Sequence, residues 1–137
     1  MVQDVAMAEG ERAEKITINL NVVDLGRIDL LVHEGFYANR TDFIRTAIRS
    51  LLGTTSETID AAVSRKTLVL GTVHHSRGDL EQLLEAGRQV HLRVLGLASI
   101  DDDVTPELAR ATIASVEVLG ALRASPAVRA ALADRTV

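Results

Sequence analysis

The 137-residue chain contains no cysteine. That absence removes disulfides, thiolate metal sites and thiol catalysis together. Tryptophan is also missing, and the aromatic residues are only Phe36, Tyr37 and Phe43. These are too few to build stacking platforms for single-stranded nucleic acid, and any core must be assembled from aliphatic side chains. No apolar run approaches the length of a membrane span and no basic-then-apolar leader opens the chain. A cytoplasmic protein with no membrane partner is therefore expected. No nucleophile-and-base signature, glycine-rich phosphate loop or paired catalytic carboxylates occur, so the chain reads as a non-enzyme without a cofactor.

What is present is a folded composition, 47% hydrophobic with scattered charge, enough for one ordinary domain or two very small ones. The net charge of −4 is unevenly distributed. Residues 1–14 sum to −3, residues 15–53 to +1 and the remainder to −2. The overall field does not favour nucleic acid, so any such affinity must come from local placement of charge and from duplication by oligomerisation.

Residues 1–14 lack periodicity and read as a mobile acidic arm. In KITINLNV (15–22), Ile16, Ile18 and Leu20 alternate with Lys15, Thr17, Asn19 and Asn21, the pattern of a half-buried strand. Its flanks offer no partner strand, and an isolated strand does not persist in water. Asn21 with Asp24 opens a helical pattern (Val22, Leu25, Ile28, Leu31, Val32) that Gly35 should stop. Asn39 with Asp42 opens a second (Phe43, Ile44, Ala47, Ile48, Leu51) that Gly53 should end. Two short helices and one strand cannot bury a core alone. With metals and disulfides lacking ligands, a second subunit is what remains.

Residues 54–66 read as a connector, polar first and then weakly helical. Beyond it the tetrapeptides LVLG (68–71), RVLG (93–96) and EVLG (117–120) recur, placing Gly71, Gly96 and Gly120 at intervals of 25 and 24 residues. Apolar pairs four apart follow each glycine: Leu80 and Leu84, Val104 and Leu108, Val128 and Leu132. Each unit is expected to be a short buried strand, a turn and a short helix packed back on it. A period of this size suggests a short solenoid-like module, residues 67–137, that self-associates through its exposed ends.

The first half, KITINLNVVDLGRIDLLVHEGFYANRTDFIRTAIRSLLG (15–53), resembles the ribbon-helix-helix family of DNA-binding proteins, of the CopG and Arc type. The resemblance lies in order and spacing: an alternating strand, a capped helix, a Gly-containing turn, and a polar tripeptide with an acid opening a helix that contains Ile-Arg. It implies an α+β fold class in which two chains intertwine as a homodimer, their strands pairing antiparallel into a ribbon for the DNA major groove. Under that resemblance Lys15, Thr17 and Asn19 become base readers, while Ile16, Ile18 and Leu20 enter the dimer core. The chemistry suits the role, since Asn can bond adenine twice, Lys can donate to guanine and Thr can offer a hydroxyl or a methyl.

The family also grips phosphate at the start of its second helix, here Asn39, Arg40 and Thr41, where free N–H groups and the helix dipole attract an anion. Arg45 and Arg49 could reach the DNA backbone or pair with acids, ion pairing being the ordinary expectation. The resemblance implies a sequence-specific transcriptional regulator, read as a repressor acting as a dimer or higher oligomer. Two alternatives are an architectural or filament-forming protein anchored to DNA, and an antitoxin, although an antitoxin tail usually folds on its partner whereas this one carries its own repeat.

Nickel-responsive members of the family prompt attention to the four histidines. His74 and His75 are adjacent and would face opposite sides of a strand, so no metal site is expected. Asp101-Asp102-Asp103 lacks the alternating ligand spacing of a calcium loop and reads as a turn feeding a helix that begins near Pro106.

Overall fold

A computed structural model describes residues 13–137. Seven helical segments, one of them a short 3-10 turn, and three strands come in the order α1 (Val22–His33), α2 (Arg40–Thr54), α3 (Ser56–Lys66), β1 (Val69–His75), α4 (Arg77–Glu85), β2 (Val90–Ile100), α5 (Pro106–Thr112), β3 (Ile113–Arg123), α6 (Pro126–Ala131) and the 3-10 turn Ala133–Arg135. The described residues divide into two compact units, 13–62 and 63–137.

In the first unit, residues 13–21 precede α1 without regular secondary structure. The strand expected at 15–21 is thus not formed within the chain, because strand hydrogen bonds need a second strand and no described residue provides one. α1 starts where Asn21 caps it, its Oδ1 accepting the Val23 N–H at 2.8 Å. It ends in a Schellman arrangement at Gly35 (φ 84°), where the Phe36 N–H donates to the Leu31 carbonyl and the Gly35 N–H to that of Val32. α2 is capped by Asn39, which accepts the Asp42 N–H at 2.8 Å, while the Asp42 carboxylate accepts the Ala38 N–H.

Gly53 does not end α2, contrary to the expectation. The helix continues to Thr54, with the Thr54 and Thr55 hydroxyls bonding the last-turn carbonyls of Leu51 and Leu52, and a third helix begins at once. Gly53 is absent from the positive-φ positions, so it is an ordinary helical residue here. The stretch expected to be a weakly helical connector carries the eleven-residue helix α3.

The second unit is a three-stranded, all-parallel sheet in the order β1-β2-β3. Its register aligns the repeat: Val69, Leu70 and Gly71 lie beside Val94, Leu95 and Gly96, which lie beside Val118, Leu119 and Gly120. Parallel strands need a long crossover, and α4 and α5 supply the two required. Each helix starts at a side-chain cap: Ser76 in a full capping box with Asp79, then Thr105 and Ser125, the last two followed by Pro106 and Pro126 at the first helical position. The aspartate run before Thr105 is a turn, closed by the Val104 N–H on the Asp101 carbonyl.

Alternate residues of the strands enter the core, and Leu92, Val116, Leu80, Ile113, Val128 and Leu132 are fully buried there. Thr112, the one buried polar residue of the described chain, satisfies its hydroxyl on the Leu108 carbonyl at 2.7 Å.

The glycine row has a steric cause. All three glycines have positive φ (122°, 139° and 123°), which L side chains rarely adopt. A Cβ on Gly96 would lie 2.1 Å from the Gly71 carbonyl oxygen, and one on Gly120 would lie 2.1 Å from that of Gly96. Each carbonyl seats on the next strand's glycine, so the tetrapeptide recurs because the backbone contact recurs.

Candidate nucleic-acid interface

In residues 13–62 only Ile28 is buried. Ile16, Ile18, Leu20, Val23, Leu30, Ile48, Leu51 and Leu52 are all exposed large apolar side chains. Monomeric proteins seldom leave so much contiguous sequence uncovered, and such surface ordinarily marks an association site. α1 and α2 pack on each other, and Tyr37 meets Phe43 edge to face with centroids 5.0 Å apart.

Lys15, Thr17 and Asn19 are exposed residues of the segment preceding α1, with no hydrogen bond or ion pair to other described residues. At the start of α2 the three residues expected to hold phosphate have different occupations. Asn39 is committed to capping. Arg40 is committed to Asp29 of α1, with Nε donating to Oδ1 at 2.7 Å and Nη2 to Oδ2 at 2.8 Å. This bidentate pair holds the Asp29 carboxyl below its ordinary range, chiefly through the hydrogen bond from Arg40, and holds the guanidinium above its own. Thr41 is exposed. The N–H groups of Arg40 and Thr41, in the first turn, have no intrahelical acceptor, so this end keeps donors for an anion even with the Arg40 side chain engaged.

The Asp29–Arg40 pair had no signal in the sequence, because eleven residues and a turn separate the partners. Arg45 and Arg49, for which ion pairing was the ordinary expectation, form no salt bridge among the described residues. Free cations on α2 therefore lie one and two turns beyond its start, and not at the start itself.

Two of the four histidines are engaged on the sheet of the second unit. His74 Nδ1 lies 2.6 Å from Ser99 Oγ and its Nε2 lies 3.2 Å from Asp101, while His91 Nδ1 lies 2.7 Å from Ser115 Oγ. Burial pushes the His75 imidazole below its usual pKa, against an opposing contribution from Asp79. No group of three or more potential metal ligands occurs among the described residues, and no helix among them is long and apolar enough to cross a membrane.

A capped helix pair preceded by an alternating segment, with its apolar surface uncovered, is a small helical module suited to association. The chain belongs to the ribbon-helix-helix transcriptional regulator family, whose sequence model it matches over residues 11–129. The match reaches far beyond residues 15–53 and takes in most of the parallel-sheet unit. Neither the comparison with curated proteins nor that with solved structures finds a match. Family membership implies DNA binding and dimerisation in general terms.

Proposed function

We propose that the protein is a sequence-specific repressor that binds double-stranded DNA as a homodimer. Residues 15–21 of two chains pair antiparallel, turning Ile16, Ile18 and Leu20 into a shared core and presenting Lys15, Thr17 and Asn19 to base edges in the major groove. The observation that carries this reading is the exposure of Ile16, Ile18, Leu20, Val23, Leu30, Ile48, Leu51 and Leu52 in a unit where only Ile28 is buried, apolar surface that a second copy of the same segment would cover. The start of α2 then contacts a phosphate through the N–H groups of Arg40 and Thr41 and the Thr41 hydroxyl, with Asn39 capping the helix end and Arg40 adding its charge only where the phosphate displaces Asp29 from it. Such contacts set register on the duplex and do not select sequence. Arg45 and Arg49, four residues apart, add positive charge further along α2.

In this reading residues 15–53 bind DNA and dimerise, residues 54–66 connect, and residues 67–137 form a repeat-containing self-association module; the arm expected at 1–14 lies, up to residue 12, outside the described residues. The module holds neighbouring dimers together, so modest individual contacts become tight by effective concentration. A second reading, an architectural assembly anchored to DNA, draws support from the in-register repeat, whose outer strands are suited to further stacking.

The test is a selection of preferred sites from random DNA followed by a gel shift. The double variant Thr17→Ala, Asn19→Ala should lose discrimination by about 1–3 kcal/mol per lost base contact. Undiminished binding to the preferred site would show that the strand is not the reader.

A further inference from the structure

Burial at equivalent positions of the three repeats shows where the repeat is unfinished. Leu80, Val104 and Val128 are equivalent and all buried. Leu84, Leu108 and Leu132 are equivalent too, yet their exposures are 51%, 9% and 1%. The strand residues agree: Val69 is 52% exposed where Val94 is 1%. The β1–α4 end thus displays at Val69 and Leu84 apolar side chains that are better covered at Val94, Val118, Leu108 and Leu132, where a preceding repeat stands beside them.

Gly71 carries the sharper signal. Gly96 and Gly120 adopt positive φ with a neighbouring carbonyl seated where a Cβ would be. Gly71 adopts the same conformation, yet nothing lies within 4 Å of its Cβ position. Its backbone has the shape of a carbonyl seat with no carbonyl in it among the described residues.

At the opposite edge, β3 presents the matching part. The carbonyls of Gly71 and Gly96 each point at the following strand, and Gly120 is the next member of that series. Contacts from the C-terminal segment and α6 occupy the two ends of β3's outer side. The Val137 N–H donates to the Val116 carbonyl, and Arg129 donates to the Leu122 carbonyl. Between them the stretch from Glu117 to Ala121, which contains Gly120, has no strand partner on that side among the described residues.

We propose that the outer edge of β1 docks the outer edge of β3 from a second copy, in parallel, with the Gly120 carbonyl of one copy seated on Gly71 of the next. This inference rests on the self-association proposed for residues 67–137 and names its interface. The register is that of the two junctions inside the chain, and it sets Val118 beside Val69, Leu119 beside Leu70 and Ala121 beside Thr72. Exposed Leu70 and Leu119 then continue the leucine row through Leu95, and exposed Leu84 gains the kind of neighbour its equivalents already have. The contact is heterologous, since the two edges differ, so each copy offers one of each and growth continues from both ends. An isologous pairing of two β1 edges would run antiparallel and leave the Gly71 seat without its repeat-defined partner.

The chain has no cysteine, so introduced thiols report alone. Full-length Leu70→Cys protein and full-length Leu119→Cys protein, distinguished by a tag, are treated with a short bis-maleimide separately and mixed. Neighbouring strands are about 4.8 Å apart, within its reach. Keeping the two thiols on different chains prevents bridging within one sheet. The expected result is a covalent species joining the two tagged forms in the mixture only. Adding Gly71→Ala to the Leu70→Cys protein should abolish it while circular dichroism retains the helix and sheet content, because the added Cβ occupies the seat without touching its own chain.

Cross-linking by Leu70→Cys alone or by Leu119→Cys alone would overturn the proposal in favour of an isologous edge. Absence of the mixed species would overturn it as well, and sedimentation of the same samples then separates the two readings. Assemblies larger than a dimer would leave self-association standing by another surface. A dimer as the largest species at every concentration would remove both.

Discussion

At the level of single residues, backbone geometry makes the strongest demands. Gly96 and Gly120 cannot accept a side chain without displacing a neighbouring carbonyl, whereas Gly71 has open space and only its positive φ against it. Gly96→Ala or Gly120→Ala should therefore destabilise residues 63–137 by roughly 3 kcal/mol or more, and Gly71→Ala by about 1–2 kcal/mol. Thermal unfolding followed by far-UV circular dichroism would rank them, and equal losses would contradict the carbonyl-seat account. The Asp29–Arg40 pair makes a different demand. Its partners are exposed, so its loss should leave the melting temperature nearly unchanged. The carboxyl is depressed by its Arg40 hydrogen bond, so the pair is intact at neutral pH and is lost only as pH falls through the lowered folded-state value. An NMR titration of Asp29 should place its midpoint below the ordinary aspartate range, returning toward it in Arg40→Ala. If phosphate competes with Asp29 for this guanidinium, Asp29→Ala should tighten DNA binding and steepen its salt dependence.

At the level of elements, the caps were the most legible features. Asn21 and Asn39 both accept the expected kind of N–H bond, and a helix begins after each. Asn39→Ala should cost about 1 kcal/mol in thermal unfolding, and should also weaken DNA binding by loosening the proposed phosphate site. Gly35 stopped its helix and Gly53 did not. The difference lies in the neighbouring hydrogen bonds: after Gly35 the Phe36 N–H closes back on Leu31, while after Gly53 two threonine hydroxyls satisfy the last-turn carbonyls and the chain re-enters helix. A glycine permits left-handed backbone, and its surroundings decide whether that freedom is used. The repeat was legible as spacing, and the structure added that the three units pair in parallel with their glycines level.

At the level of the whole molecule, the two units differ in self-sufficiency. Residues 63–137 bury a connected aliphatic core, whereas residues 13–62 bury one side chain. The stability of the first unit should therefore depend on protein concentration, as expected when folding and dimerisation are coupled. Dilution into the nanomolar range should lose the helical signal of 13–62 while protection in 63–137 persists, measured by hydrogen exchange. A concentration-independent melt for 13–62 would count against the dimer.

What the amino-acid order determined by itself was local: strand alternation at 15–21, helix starts at Asn21 and Asn39, a repeat marked by three glycines, and an aliphatic composition without cysteine. These are legible because propensity, capping and periodicity depend on residues a few places apart. Tertiary structure alone decided that Arg40 is held by Asp29, that α2 runs through Gly53 into a further helix, that the repeats form a parallel sheet, and that Gly71 repeats the conformation of Gly96 and Gly120 with its seat empty. Each of these depends on groups brought together from distant places in the chain, or left without a neighbour at the sheet's edge, and no local pattern of residues encodes them.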